Sequence, residues 1–150
     1  MKLDKIIITN SEIETYEQGY DFAEVLVAGD IVLFFGDLGA GKTEFIKGIC
    51  SYFEVEELVT SPTFTIINQY FAKEDNEGIV IYHLDLYRIK SEKELVEIGL
   101  SECLDDPQSI KLIEWADRAI SYFSEDVYSI EMTFNENESS KRTIYIKKNN

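Results

Sequence analysis

The chain has 150 residues, the length of one domain, enough to bury about two-thirds of its unfolded surface. Apolar residues make up 45% and aromatics 13%, with two prolines and no repetitive or Gly/Ser-rich stretch, which excludes a linker array or a disordered arm. Fourteen Lys and Arg against 29 Asp and Glu give a net charge of -15, which repels a nucleic-acid backbone and argues against direct capture of DNA or RNA.

Met1 is followed by a polar, charged start with no apolar core of signal-peptide length, and no apolar run reaches the roughly 20 residues of a membrane span. Residues 5–9 are β-branched and predict a strand. Ser11 and Glu14 then form a capping-box pattern ahead of a helix expected to run to about Ala28. Gly29 and Asp30 turn the chain into the apolar run IVLFF, residues 31–35, which reads as a buried strand. GDLGAGKT follows at residues 36–43, and TEFIKGIC predicts a helix ending near Phe53.

Beyond the acidic patch of Glu54, Glu56 and Glu57 lies SPTF, residues 61–64. Two β-rich runs, residues 65–71 and 79–85, flank the polar KEDNEG and predict a hairpin. Ser91 and Glu94 repeat the capping-box spacing before a short helix closing at Gly99. Residues 110–115 read as another buried strand, and residues 127–134 and 143–147 as a final hairpin around NENESSK. The expected fold is one α/β domain over residues 1–150, with a sheet mixing parallel and antiparallel pairs and flanked by helices. Cys50 and Cys103 have no second Cys or His at metal-ligand spacing and read as packing residues of a reduced, cytoplasmic protein.

GDLGAGKT carries the chemistry. Its glycines let backbone N–H groups converge on an anion, and a helix begins where the loop ends, so the positive end of its dipole meets phosphate. Lys42 adds a compact charge for β- and γ-phosphates and Thr43 a hydroxyl for Mg²⁺. Hydrolysis also needs a carboxylate at a strand end and a group that positions water. Asp85 ends IVIYHLD and Glu114 ends SIKLIE; both are candidates, and an ordinary solvated acid is the plain alternative for either.

Thr63 lies about 20 residues after Lys42, in a loop where Pro62 holds Ser61 extended, so it reads as a γ-phosphate sensor or a turn hydroxyl. His83, the only histidine, shares a strand face with Asp85 and reads first as a hydrogen-bonded core residue. Trp115, the only tryptophan, follows Glu114 and suits the core, the site rim or a partner. Arg88 and Arg118 read as surface cations or as charge stabilisers for phosphoryl transfer.

The ordered set GDLGAGKT, SPTF, HLDLYR, ELVEIGL and IEWADR resembles the bacterial tRNA threonylcarbamoyladenosine biosynthesis ATPase family, TsaE, formerly called YjeE. The likeness runs from TNSEIET near the start to RTIYI near the end. It implies a P-loop NTPase fold and a cytoplasmic ATPase, weak alone, that works with the TsaD and TsaB proteins. Hydrolysis of ATP to ADP would reset that complex rather than perform the transfer to an adenosine beside the anticodon, and tRNA would be met only through the complex.

The same resemblance implies site roles. Gly36, Asp37, Leu38, Gly39, Ala40, Gly41, Lys42 and Thr43 would hold the ATP phosphates, Thr43 and Glu114 would ligate Mg²⁺, and Asp85 would support the metal or the catalytic water. Thr63 matches the family's switch threonine. Thr9, Asn10, Ser11 and Arg142 would meet the adenine. Where the family often carries a second threonine after Thr43, this chain has Glu44, one position beyond the metal hydroxyl.

Two other classes share the loop. A small-molecule kinase needs a cationic lid, and only Arg88, Arg118 and Arg142 are arginines. A GTP-dependent switch needs the guanine-selecting NKxD, which is missing; DNEG, residues 75–78, matches DxxG only as turn chemistry.

Overall fold

The computed structural model describes residues 2–148. Its centre is β2 (Ile31–Phe35), whose unbroken apolar run is buried on both faces: Val32 and Phe34 point into one core and Leu33 into the other. β5 (Ser109–Glu114) lies parallel on one side of β2, and β6 (Tyr128–Asn135) lies parallel on the other. β4 (Val80–Asp85) extends the parallel set beyond β5. Antiparallel strands finish both edges, β3 (Ile67–Phe71) beside β4, and β7 (Glu138–Lys148) then β1 (Leu3–Thr9) beyond β6. The seven-stranded order is β1-β7-β6-β2-β5-β4-β3, the mixed sheet expected from the sequence.

Helices α1 (Glu12–Phe22) and α2 (Lys42–Tyr52) cover one face, where Phe22, Phe45, Ile46 and Ile49 join the core of Phe34, Ile110 and Leu112. The other face carries α3 (Glu92–Glu97), α4 (Leu100–Asp105) and a 3₁₀ segment, Ala116–Tyr122, through Leu95, Leu100 and Ala119. Both predicted N-caps form: Ser11 Oγ accepts the Glu14 N–H at 3.1 Å, and Ser91 Oγ accepts that of Glu94 at 3.4 Å, while the Glu94 side chain accepts from the Lys90 N–H rather than from the cap residue.

The helices α1 and α2 cross at two glycines. A Cβ on Gly19 would overlap the Phe45 carbonyl, and one on Gly48 the Tyr16 carbonyl, so each helix rests on the bare backbone of the other. This close approach holds α2, and the loop that feeds it, against the strands.

Boundaries differ where the chain must turn. The first helix stops at Phe22 instead of about Ala28, passing through a 3₁₀ turn, Ala23–Val25; Asp30 then accepts the Val27 N–H at 2.9 Å and bends the chain into β2. β3 starts at Ile67 because Ile66 takes a φ of 70°, outside strand geometry. Gly99 does end α3, but its left-handed backbone also starts α4, which the sequence did not suggest. The polar NENESSK is mostly strand: Asn135 pairs with Glu138, leaving a turn of residues 136–137.

Gly48→Ala should lower the unfolding free energy by about 1–3 kcal/mol in urea denaturation, because the new methyl group has no space to occupy. Burial pushes the Cys50 thiol up to about 12 and the Cys103 thiol up to about 11. Both raised values favour the folded state below about pH 9, and that contribution is lost as pH rises through 11 to 12. Neither thiol should therefore react with a disulfide reagent near pH 8 in the folded protein, whereas both should react in urea.

Candidate active site

β2 delivers the chain directly into residues 36–41, and α2 begins at Lys42. Gly41, the N-cap of α2, has a φ of 99° and offers no side chain to the first turn, so the first-turn N–H groups face the loop uncapped. A Cβ at Gly36 would strike the Met132 carbonyl of β6, which makes glycine necessary where the loop leaves the sheet. The result is a cradle of backbone donors that side chains would fill.

Lys42 is 5% exposed, and its Nζ donates to the Gly36 carbonyl across the loop. The ammonium lies 4.1 Å from the centre of the Trp115 ring. Burial pulls the Lys42 pKa down, opposed by the nearby charges of Glu114, Asp85, Asp37 and Asp117. Trp115 reaches this position because its backbone turns left-handed, at φ 57°, directly after β5; its ring also packs on Tyr87 at 4.9 Å.

Opposite Lys42 stand two buried carboxylates. β4 and β5 run parallel in a register that pairs Asp85 with Glu114, and β5 in turn pairs Glu114 with Phe34 at the end of β2. The acidic pair thus emerges at the C-terminal end of adjacent parallel strands, where open α/β sheets place their ligands. Ser61 Oγ reaches both carboxylates, at 2.8 Å to Asp85 Oδ2 and 3.3 Å to Glu114 Oε2. Asp85 Oδ1 accepts the Tyr87 N–H at 2.9 Å, and His83 Nε2 lies 2.7 Å from Glu114 Oε2.

Glu114 Oε1 accepts no hydrogen bond among the described residues, where every fully buried side-chain polar atom has a partner. This oxygen therefore opens onto the cleft that Glu114 lines. The cleft measures about 840 Å³ and includes Thr43, so hard oxygen donors of the kind Mg²⁺ prefers face one space. Among the described residues, no group of three or more His, Cys, Asp or Glu is arranged to hold a metal ion by itself. A cation here would rest on one or two carboxylates, the Thr43 hydroxyl and a ligand's own oxygens.

The structure brings most of the expected site residues to this cleft: Leu38, Gly39, Ala40, Gly41, Lys42, Thr43, Thr63, Asp85 and Glu114 line it, as do Ser11 and Arg142. Gly36 and Asp37 shape the loop behind it. Thr9 lies apart, its hydroxyl bonded to that of Thr15 at 2.7 Å, and Asn10 is exposed outside the cleft lining. Arg142 sits opposite Thr9 in the β1–β7 register and donates to the Gly39 carbonyl at 3.0 Å, which ties the last strand to the loop. Arg88 stacks on the exposed Phe64 ring at 4.4 Å, and Arg118 is exposed outside the cleft.

Ser61 was not singled out by the sequence. Its signal was Pro62, which extends the preceding residue, but only the fold places that hydroxyl between two strands' carboxylates. Thr63 lines the same cleft, while the hydroxyl bonded to the acids is that of Ser61. His83 is the hydrogen-bonded core residue expected, fully buried, and its partner is Glu114 of the site.

A buried strand feeding a glycine loop and helix, with a lysine in the loop and acids on neighbouring parallel strands, defines the P-loop NTPase fold. The family model described as "Threonylcarbamoyl adenosine biosynthesis protein TsaE" matches residues 9–144. The chain is 38% identical over 142 residues to a tRNA threonylcarbamoyladenosine biosynthesis protein TsaE of Rickettsia typhi, covering 94% of this chain and 93% of that protein. It is 44% identical over 109 residues to the TsaE of Rickettsia conorii, covering 72% of this chain but 59% of that longer protein. The crystal structure of Bacillus subtilis YdiB superposes with a TM-score of 0.76 at 26% identity, covering 100% of this chain and 88% of that one. The chain belongs to the TsaE family, whose members take part in tRNA threonylcarbamoyladenosine biosynthesis.

Trp115→Ala should remove about 2 kcal/mol of unfolding free energy by stripping the aromatic face from the buried Lys42 ammonium. Trp115→Phe, which keeps a ring there, should recover part of that loss in the same urea titration.

Proposed function

We propose that this chain is a Mg²⁺-dependent ATPase that serves the TsaD and TsaB proteins in threonylcarbamoyl modification of tRNA beside the anticodon. The observation that carries the reading is the opposition of Lys42 and the Glu114–Asp85 pair across a cleft lined by the glycine loop. One wall offers backbone N–H groups and an ammonium to anionic oxygens; the other offers carboxylate oxygen to a cation. A nucleoside triphosphate with its divalent ion has both requirements.

Each residue then has a physical task. Lys42 and the amides of residues 39–43 hold the β- and γ-phosphates and balance the charge that grows on them. Thr43 and Glu114 hold Mg²⁺, which when bound neutralises phosphate oxygens. Asp85, fixed by Ser61 and the Tyr87 N–H, orients water or a metal-bound water, and Thr63, which lines the same cleft, senses the γ-phosphate. Ser11 and Arg142, which also line the cleft, meet the nucleoside.

The charge of -15 supports docking to a basic protein surface rather than to tRNA, so RNA is met through the complex. Two free thiols suit a reducing cytoplasm, and no helix among the described residues is long and apolar enough to cross a membrane. Cleavage of ATP resets the complex between cycles, and the threonylcarbamoyl transfer belongs to the partners.

Lys42→Ala should weaken ATP binding about tenfold or more, and Thr43→Ala and Glu114→Ala should remove the Mg²⁺ dependence of turnover, measured by calorimetry and phosphate release. Unchanged Mg²⁺-dependent rates in all three would reject the site. Threonylcarbamoyl-tRNA formation over multiple turnovers, with TsaD and TsaB and with or without this chain, tests the process itself.

A further inference from the structure

His83 lies on the β4 face that carries Ile81 and Asp85, completely shielded from solvent. An imidazole in such a place costs stability unless both nitrogens are bonded, and an aliphatic side chain like that of Ile81 would cost nothing comparable. Both nitrogens are bonded. Nε2 meets Glu114 Oε2 at 2.7 Å, and Nδ1 meets the Tyr70 hydroxyl, on the neighbouring β3, at 3.2 Å.

A carboxylate oxygen accepts, so Nε2 donates to Glu114. Nδ1 faces the Tyr70 hydroxyl, whose single phenolic proton serves either that nitrogen or Thr60. That hydroxyl also lies 3.3 Å from the Thr60 carbonyl, which accepts a second bond from Asn68 Nδ2 at 3.3 Å. Thr60 keeps a donor when the phenolic proton turns to His83.

Thr60 immediately precedes Ser61, whose hydroxyl bonds the same Glu114 oxygen. The loop of residues 60–66 is therefore joined to Glu114 Oε2 by two routes, directly through Ser61 and through Tyr70 and His83. Its far end is also fixed: Ile66, at a φ of 70° that strains a β-branched residue, accepts the Asp85 N–H at 2.9 Å. With Oε2 occupied from two sides, the carboxylate plane is set and Oε1 is left toward the cleft.

We propose that His83 and Tyr70 are positioning residues that orient Glu114, and that through them the position of the SPTF loop sets the direction of Glu114 Oε1. This rests on the reading of Glu114 as the carboxylate that meets Mg²⁺. Neither side chain touches the ligand; both act through the hydrogen bonds on the opposite oxygen.

The test uses the full chain. His83 is the only histidine, so its ¹⁵N signals are unambiguous, and Nε2 should carry a proton in wild type without nucleotide. Affinity for a non-hydrolysable ATP analogue is then measured in EDTA and in Mg²⁺. Tyr70→Phe and His83→Asn should keep the EDTA affinity but lose about tenfold of the Mg²⁺ enhancement. His83→Gln, which carries an N–H near the place of Nε2, should retain most of it. A purely structural role would lower both affinities together.

A ring without a proton at Nε2, or full Mg²⁺ enhancement in both Tyr70→Phe and His83→Asn, would overturn the proposal. If His83→Asn does not fold, Tyr70→Phe decides alone, since it removes one hydroxyl and leaves Thr60 with its Asn68 donor. A wild type that shows no Mg²⁺ enhancement would overturn the nucleotide reading and this proposal with it, and that failure is recognised because it appears before any substitution.

Discussion

A buried ammonium facing two buried carboxylates organises this molecule. Lys42 has been taken out of water, which works against its charge, and the Gly36 carbonyl, the Trp115 ring and the acids on β4 and β5 oppose that cost. The acids in turn are held by Ser61, His83 and a backbone N–H. Removing any member would leave another charge in a low-dielectric setting without its counterpart, so the set behaves as a unit.

The scaffold supplies the precision this needs. The loop that carries Lys42 is fixed behind by the closeness of Gly36 to β6, in front by the contact of α2 with α1 at Gly19 and Gly48, and from the side by Arg142. The carboxylates are placed differently: the parallel register of β4 and β5 brings them side by side, and Ser61, His83 and the Tyr87 N–H then hold them there.

An acidic protein proposed to bind an anion is a contradiction only if net charge is taken for local field. Uncapped amides at a helix start and one ammonium act within a few ångströms, where the surface carboxylates are screened. The -15 charge acts at longer range and governs which macromolecules approach. Local dipoles and overall charge thus serve different partners.

Much of the fold was legible because its signals are local: the glycine loop between a strand and a helix, two helix N-caps, and the β-rich runs are each read within a few residues. The phosphate cradle is determined in the same way, since nearly all its atoms come from residues 36–43. The first helix ends early at Phe22 because the chain passes into a 3₁₀ turn and the Asp30 bond to Val27, and Gly19 and Gly48 look ordinary because a close approach of two helices leaves no local trace. The pairing of Asp85 with Glu114, the reach of Ser61 to both, and the link from Tyr70 through His83 join segments up to 53 residues apart. Strand order and register are set by which apolar faces can be buried together, a property of the whole sheet, and so the tertiary structure alone decided that both acids meet at the cleft and what holds them there.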